Sequence, residues 1–118
     1  MRRGVFSLAV SLISCLFPLI IFSACASPPV EQTASAREAL DRAKKVESDT
    51  YAVEEFREAT KALEAAQAEI DAQESKWFFP RDYASAEGLL EKARSAAQKA
   101  TQIAPENKEQ ARKDAGIP

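Results

Sequence analysis

One pattern recurs along this 118-residue chain and limits what it can become. Tyr83-x-x-Ala86-x-x-x-Leu90-x-x-Ala93 repeats Phe56-x-x-Ala59-x-x-x-Leu63-x-x-Ala66, and Ala36-x-x-x-Leu40-x-x-Ala43 echoes both without the aromatic. Steps of three and four put each set on one face of a helix. The stripe from Phe56 runs on through Ile70 and, a heptad later, Trp77; the stripe from Tyr83 runs on through Ala97 and Ala100. Ala65 and Ala96 fall off these stripes. A seam of this kind suits a coiled-coil-like or antiparallel helical packing. Composition sharpens the point. Between residues 25 and 118, 21 of 94 residues are Ala and only 16 are large and apolar or aromatic. So few large side chains cannot hold a fold together and also line a deep pocket.

Local signals predict three helices and an all-α fold, an antiparallel three-helix bundle built as a helical-hairpin repeat. Helix 1 is expected to start between Val30 and Ser35 and to run to about Glu47, with Ser35 and Glu38 as a capping box if the later start holds. Asp49 or Thr50 is expected to cap helix 2, whose first turn carries Glu54 and Glu55. Helix 2 should reach about Lys76, where Trp77-Phe78-Phe79-Pro80 breaks it. Helix 3 should start near Pro80 to Asp82 and end near Ala104, with Pro105 stopping it or opening a frayed extra turn. Short links make neighbouring helices antiparallel. Leu63 and Leu90 should then meet, with Leu40 closing the triangle. Charge pairs Glu38–Arg42, Asp41–Lys45, Glu54–Arg57, Glu58–Lys61 and Glu91–Arg94 mark solvated outer faces. Gly88 inside helix 3 reads as a hinge or, more simply, as a tolerated weak point.

The N-terminus carries an address. Arg2 and Arg3 precede an uncharged run over residues 4–24, the order of a secretory signal. At about 20 residues that run is also long enough to span a bilayer uncut, which leaves an uncleaved anchor as the rival reading. Phe22-Ser23-Ala24-Cys25 resembles the bacterial lipobox, with Phe22 where Leu is usual. The resemblance implies cleavage between Ala24 and Cys25 and attachment of palmitate-type acyl chains to Cys25. Leu12-Ile13-Ser14-Cys15 fits the same pattern, but cleavage there would expose the apolar residues 16–22 on the mature chain. Ala26 after the Cys favours the outer membrane by the same resemblance. The expected organisation is a signal peptide over 1–24, a lipidated Cys and flexible tether over 25–34, a helical domain over 35–104 and a tail over 105–118. The domain itself contains no Cys, so no disulfide staples it.

Chemistry is scarce. With no His there is no imidazole base, triad or imidazole metal ligand. With Cys25 assigned to lipid, no thiolate nucleophile or zinc site remains. The glycines Gly4, Gly88 and Gly116 form no phosphate-cradling loop. Glu54, Glu55 and Glu58 are the one carboxylate cluster, and they read as a solvated acidic first turn. No catalytic residue, cofactor or metal is expected, and the chain is read as a non-enzyme. After cleavage it carries 14 basic against 18 acidic residues, a balance that disfavours nucleic acid as a partner. Trp77, Phe78 and Phe79 stand out. They read as rings plugging the end of the core or as an exposed tip that docks a partner or enters a membrane interface.

The paired aromatic-x-x-Ala-x-x-x-Leu-x-x-Ala helices resemble the second helix of tetratricopeptide repeats, although the first-helix signature is missing and the Phe56-to-Tyr83 offset is short. Over roughly residues 35–104 the chain resembles small Ala-rich bacterial lipoprotein domains of unknown activity, also found in front of OmpA-like modules. Tyr51-Ala52-Val53-Glu54-Glu55-Phe56 matches that group's Tyr-Ala-Pro-Glu helix start with Val53 for Pro. The resemblance implies an outer-membrane lipoprotein facing the periplasm, a structural or adaptor module with an envelope protein as partner. The alternative is a tetratricopeptide-like module that binds peptides between helices 2 and 3.

Overall fold

The computed structural model describes residues 26–77 and 80–117, and these are all-α. The proposed signal over 1–24, Cys25, Phe78 and Phe79 lie outside the described residues. Four helices follow in order: α1 Val30–Lys45, α2 Ser48–Tyr51, α3 Val53–Glu74 and α4 Ala84–Asp114. Their directions follow from their neighbours. Arg37 Nη2 of α1 donates to Gln67 Oε1 of α3 at 3.2 Å, and Pro29, Val30 and Ala34 lie beside Ile70 and Glu74, so α1 and α3 are antiparallel. Glu58 pairs with Lys92 and Glu55 with Lys99, each at 3.6 Å, so α3 and α4 are antiparallel as well. Hence α1 and α4 run the same way.

The packing is unequal. α4 lies along most of α3 and most of α1, whereas α1 and α3 touch over only a few residues. Small residues allow this close approach. Ala36, Ala39 and Ala43 of α1 and Ala86, Ala93, Ala97, Ala100 and Ala104 of α4 are all fully or almost fully buried. Two clusters result. One gathers Ala36, Ala62, Ala66, Ile70, Tyr83, Ala86, Leu90 and Ala93, with Leu63 and Leu89 at its margin. The other gathers the alanines of the opposite end, with Leu40, Phe56, Tyr51 and Ile103 partly buried around them. Leu40 therefore does not close a triangle with Leu63 and Leu90, because it belongs to the second cluster. Ala96 is buried in that cluster too, since α4 is enclosed on two sides and its buried arc is wider than one stripe; Ala65 is exposed.

α1 begins at Val30, the early limit of the expected start, so the tether expected over 25–34 is helical from residue 30 on; Thr33 donates through both its amide and its hydroxyl to the carbonyl of Pro29, at 3.0 and 2.8 Å. Other expected boundaries move. The capping box at Ser35 and Glu38 has no role, because those residues are already inside the helix. α1 closes on Glu47, which has a left-handed backbone (φ 61°) and turns the chain into the single helical turn of α2. Asp49 and Thr50 sit in that turn and do not cap α3, whose N-cap position is Ala52. α3 ends at Glu74, two residues before the expected limit, and α4 starts at Ala84.

The largest correction is at Pro105. α4 passes through it and continues to Asp114, 31 residues or roughly 46 Å in all. A proline inside a helix removes one backbone hydrogen bond and usually breaks or kinks it. Here the far side is tied down: Asn107 Nδ2 donates to the Tyr51 carbonyl at 2.7 Å and Lys108 Nζ meets Glu47 at 2.6 Å. The expected tail over 105–118 is thus largely helix.

Candidate functional site

One side chain ties together the two described ends of the α3–α4 turn. Gln73, 7% exposed, continues the α3 stripe one step beyond Ile70. Its Oε1 accepts from Lys76 Nζ and from the Asp82 amide, both at 2.9 Å, and its Nε2 donates to Glu69 Oε1 at 2.8 Å. Both ends of the turn are therefore fastened to one amide group, whose burial is tolerable because its polar atoms are partnered. Ser75 Oγ donates to the Ala72 carbonyl as α3 ends, and the Asp82 carboxylate accepts from the Ala84 amide as α4 begins. Gln73 was not among the site residues expected from the sequence. The available signal was a polar residue at a stripe position immediately before a helix-breaking run.

Trp77 is 87% exposed, so for this residue the core-plug reading is wrong. The reason is geometric. α3 stops at Glu74, so the heptad step from Ile70 no longer carries Trp77 back to the seam. Tyr83, 3% exposed, closes that end instead. Lys76 and Arg81 flank the turn and are exposed. The other residues singled out, Ala24, Cys25, Phe78 and Phe79, lie outside the described residues.

The chain leading in from Cys25 arrives at this same end. Pro29 is buried and Pro28 half-buried, and together with Val30 they lie beside Ile70 and Glu74 of α3. On the other side, Ser27, Pro28 and Val30 share a shallow groove with Glu87 in the first turn of α4. The start of α1, the end of α3 and the start of α4 are thus neighbours.

Two further surfaces carry charge. A shallow cleft of about 400 Å³ between α3 and α4 is lined by Glu54, Arg57, Glu58, Lys61 and Lys92 over a floor of Ala62 and Leu89. Its carboxylates are matched: Glu54 with Arg57, and Glu58 with Lys92 in place of the expected Lys61. Glu55 reaches Lys99. This is a network of paired, largely exposed ions, each contributing little. At the opposite end of the molecule, Lys108 sits 5.9 Å from the Tyr51 ring centroid and pairs with Glu47, whose hydrogen bond and charge raise the lysine pKa above its ordinary value. Among the described residues, no three His, Cys, Asp or Glu side chains are grouped to hold a metal, and no helix is long and apolar enough to cross a membrane.

Comparison with known proteins gives no match: no family model fits the chain, and no curated protein or solved structure is significantly similar to it.

Proposed function

We propose that this chain is an outer-membrane lipoprotein, anchored through Cys25, whose small helical domain faces the periplasm as a structural or protein-interaction module. The observation that carries the reading is the order Arg2-Arg3, uncharged run, Phe22-Ser23-Ala24-Cys25, followed almost at once by a helical domain beginning at Val30. Within that domain the repeated stripes serve packing, and the acidic cluster is engaged with basic partners on its own and neighbouring helices. The non-enzymatic reading rests on this use of the side chains and on the lack of His in the sequence. The tetratricopeptide-like alternative needs Phe56, Leu63, Tyr83 and Leu90 along an open groove. Tyr83 and Leu90 are buried, which counts against it.

Expression of the full chain in a bacterial host tests the proposal. Mass spectrometry of the mature N-terminus should find acylated Cys25, with the modification lost in Cys25→Ser and kept in Cys15→Ser. Density fractionation of the envelope should place the wild type with outer membranes. An uncut or unacylated wild-type chain would overturn the lipoprotein reading, and sedimentation with inner membranes would overturn its outer-membrane part.

A further inference from the structure

The lipid-proximal end of the domain is fixed by how little slack the chain has. The sequence suggests a ten-residue tether over 25–34, which would let the domain tumble far from its anchor. In the structure α1 starts at Val30, Pro29 is buried and Pro28 is half-buried against the end of α3. Three links separate Cys25 from Pro28, and three links of extended chain reach at most about 10 Å. A domain held this closely cannot present an arbitrary face to the bilayer. It presents the end from which the tether leaves.

That end carries the one Trp in the sequence. Trp77 follows Glu74 by three residues, and Glu74 lines the same shallow groove as Pro28 and Val30, so Trp77 and the start of the tether belong to the same pole of the molecule. At 87% Trp77 is the most exposed of the large apolar side chains in the described residues, and Val30, 70% exposed, stands at the same pole. Lys76 and Arg81, both exposed, flank the turn. Tryptophan prefers the headgroup level of a bilayer, where its ring is in apolar surroundings and its N–H remains among polar groups. Acidic residues at this pole, Glu31, Glu74, Asp82 and Glu87, leave no net positive charge there. Attraction to anionic headgroups is therefore not the driving force. Proximity is: a short covalent tether gives a high effective concentration of a second, weak contact.

We propose that Trp77, at the α3–α4 turn, inserts into the headgroup region of the membrane that holds the Cys25 lipid, so that the helices stand on the bilayer with this pole down. The inference rests on the lipid anchor proposed above. Its occupant is a lipid surface. A docked protein is the competing outcome.

Because the sequence contains a single Trp, intrinsic fluorescence reports on this site alone. The purified, acylated full-length protein is reconstituted into phosphatidylethanolamine/phosphatidylglycerol vesicles, some carrying lipids brominated at shallow or deep acyl positions. Acylation of Cys25 is checked by mass spectrometry on the same sample. The expected result is emission shifted to shorter wavelength relative to the acylated protein in detergent-free amphipol, reduced quenching by acrylamide, and quenching by the shallow bromine label that exceeds quenching by the deep one. If the protein is acylated and floats with the vesicles but Trp77 stays accessible to acrylamide and insensitive to both bromolipids, the insertion is refuted while the lipoprotein reading stands. If Cys25 is not acylated, both fall together. Bromolipid quenching that persists in a vesicle-bound Trp77→Phe, Phe56→Trp variant would also overturn the assignment, because the indole would then lie far from the proposed contact.

Discussion

Phe56 and Leu63 of α3 hold the same places in the repeated motif as Tyr83, the N-cap residue of α4, and Leu90 within it, yet the two pairs end in different surroundings. Tyr83 is 3% and Leu90 1% exposed, whereas Phe56 and Leu63 are only partly buried, at the margins of separate clusters. Nothing in the motif separates them. What differs is the number of neighbours. α4 has α1 on one side and α3 on the other, while α3 has α4 and only a brief contact with α1. A stripe thus states which face a helix turns inward and leaves open how many helices will cover it.

The comparison is most easily broken at the two leucines. Leu90→Ala removes a fully enclosed side chain and should destabilise the domain by about 2–5 kcal/mol, as large-to-small changes in a tight core do. For so small a domain that is a large part of the margin, and circular dichroism should show a mostly unfolded chain or a melting temperature far below wild type. Filling the alanine seam should come next. Ala97 is fully buried where α4 packs in the second cluster, and Ala97→Leu should cost about 1–3 kcal/mol by overpacking. Leu63→Ala should cost less than either extreme suggests, roughly half of the ~1.5–3 kcal/mol that full burial of a leucine contributes. Equal melting temperatures for Leu63→Ala and Leu90→Ala would refute the unequal cover of the two helices.

Gly88 sharpens the same contrast from the other direction. It lies in the first turns of α4, and a methyl group added there would meet nothing within 4 Å. Gly88→Ala should therefore stabilise the domain by about 0.4–1 kcal/mol, through lost backbone freedom in the unfolded chain. A lower melting temperature for this variant would mean that the glycine serves as a hinge, and the rigid continuity of α4 from Tyr83 to the core would need revision.

Helix type and helix order were legible in the sequence because steps of three and four carry them, and the heptad-spaced alanines marked the close seams correctly for most positions. Cover was not legible, for the reason given by Leu63 and Leu90. Endings were harder. Trp77 stood in stripe register with Ile70, and only the stop at Glu74, fastened by Gln73, takes it out of the core. Pro105 read as a terminator because its local chemistry opposes a helix; the tertiary ties at Asn107 and Lys108 that override it involve residues more than fifty positions upstream. The lipobox-like run ending at Cys25 is legible in the sequence alone, and if the proposed anchor holds, the buried Pro29 shortens the tether it implies.

The smallest expected effect tests how α4 survives its proline. Beyond Pro105 the described helix residues are mostly exposed, and ties from this segment to the rest of the molecule include Asn107 on the Tyr51 carbonyl and Lys108 on Glu47 and the Tyr51 ring. Glu47 is also the residue with the left-handed backbone, so the ion pair fastens a strained reversal to the extension of α4. The hydrogen bond and charge of Glu47 raise the Lys108 pKa in the folded chain. A group whose pKa is raised on folding contributes stability that is fully present below its unfolded value, and that contribution is lost as pH rises through the folded value. Lys108→Met should therefore lower the melting temperature slightly at neutral pH, and the difference from wild type should shrink only above the ordinary lysine value of 10.5. Because both partners are about half exposed, added salt should shrink it too. Amide exchange in residues 106–114 should quicken in the variant while residues 86–100 keep their protection. If residues 86–100 lose protection equally, the end of α4 is part of the core cooperative unit, and the proline marks no boundary in stability at all.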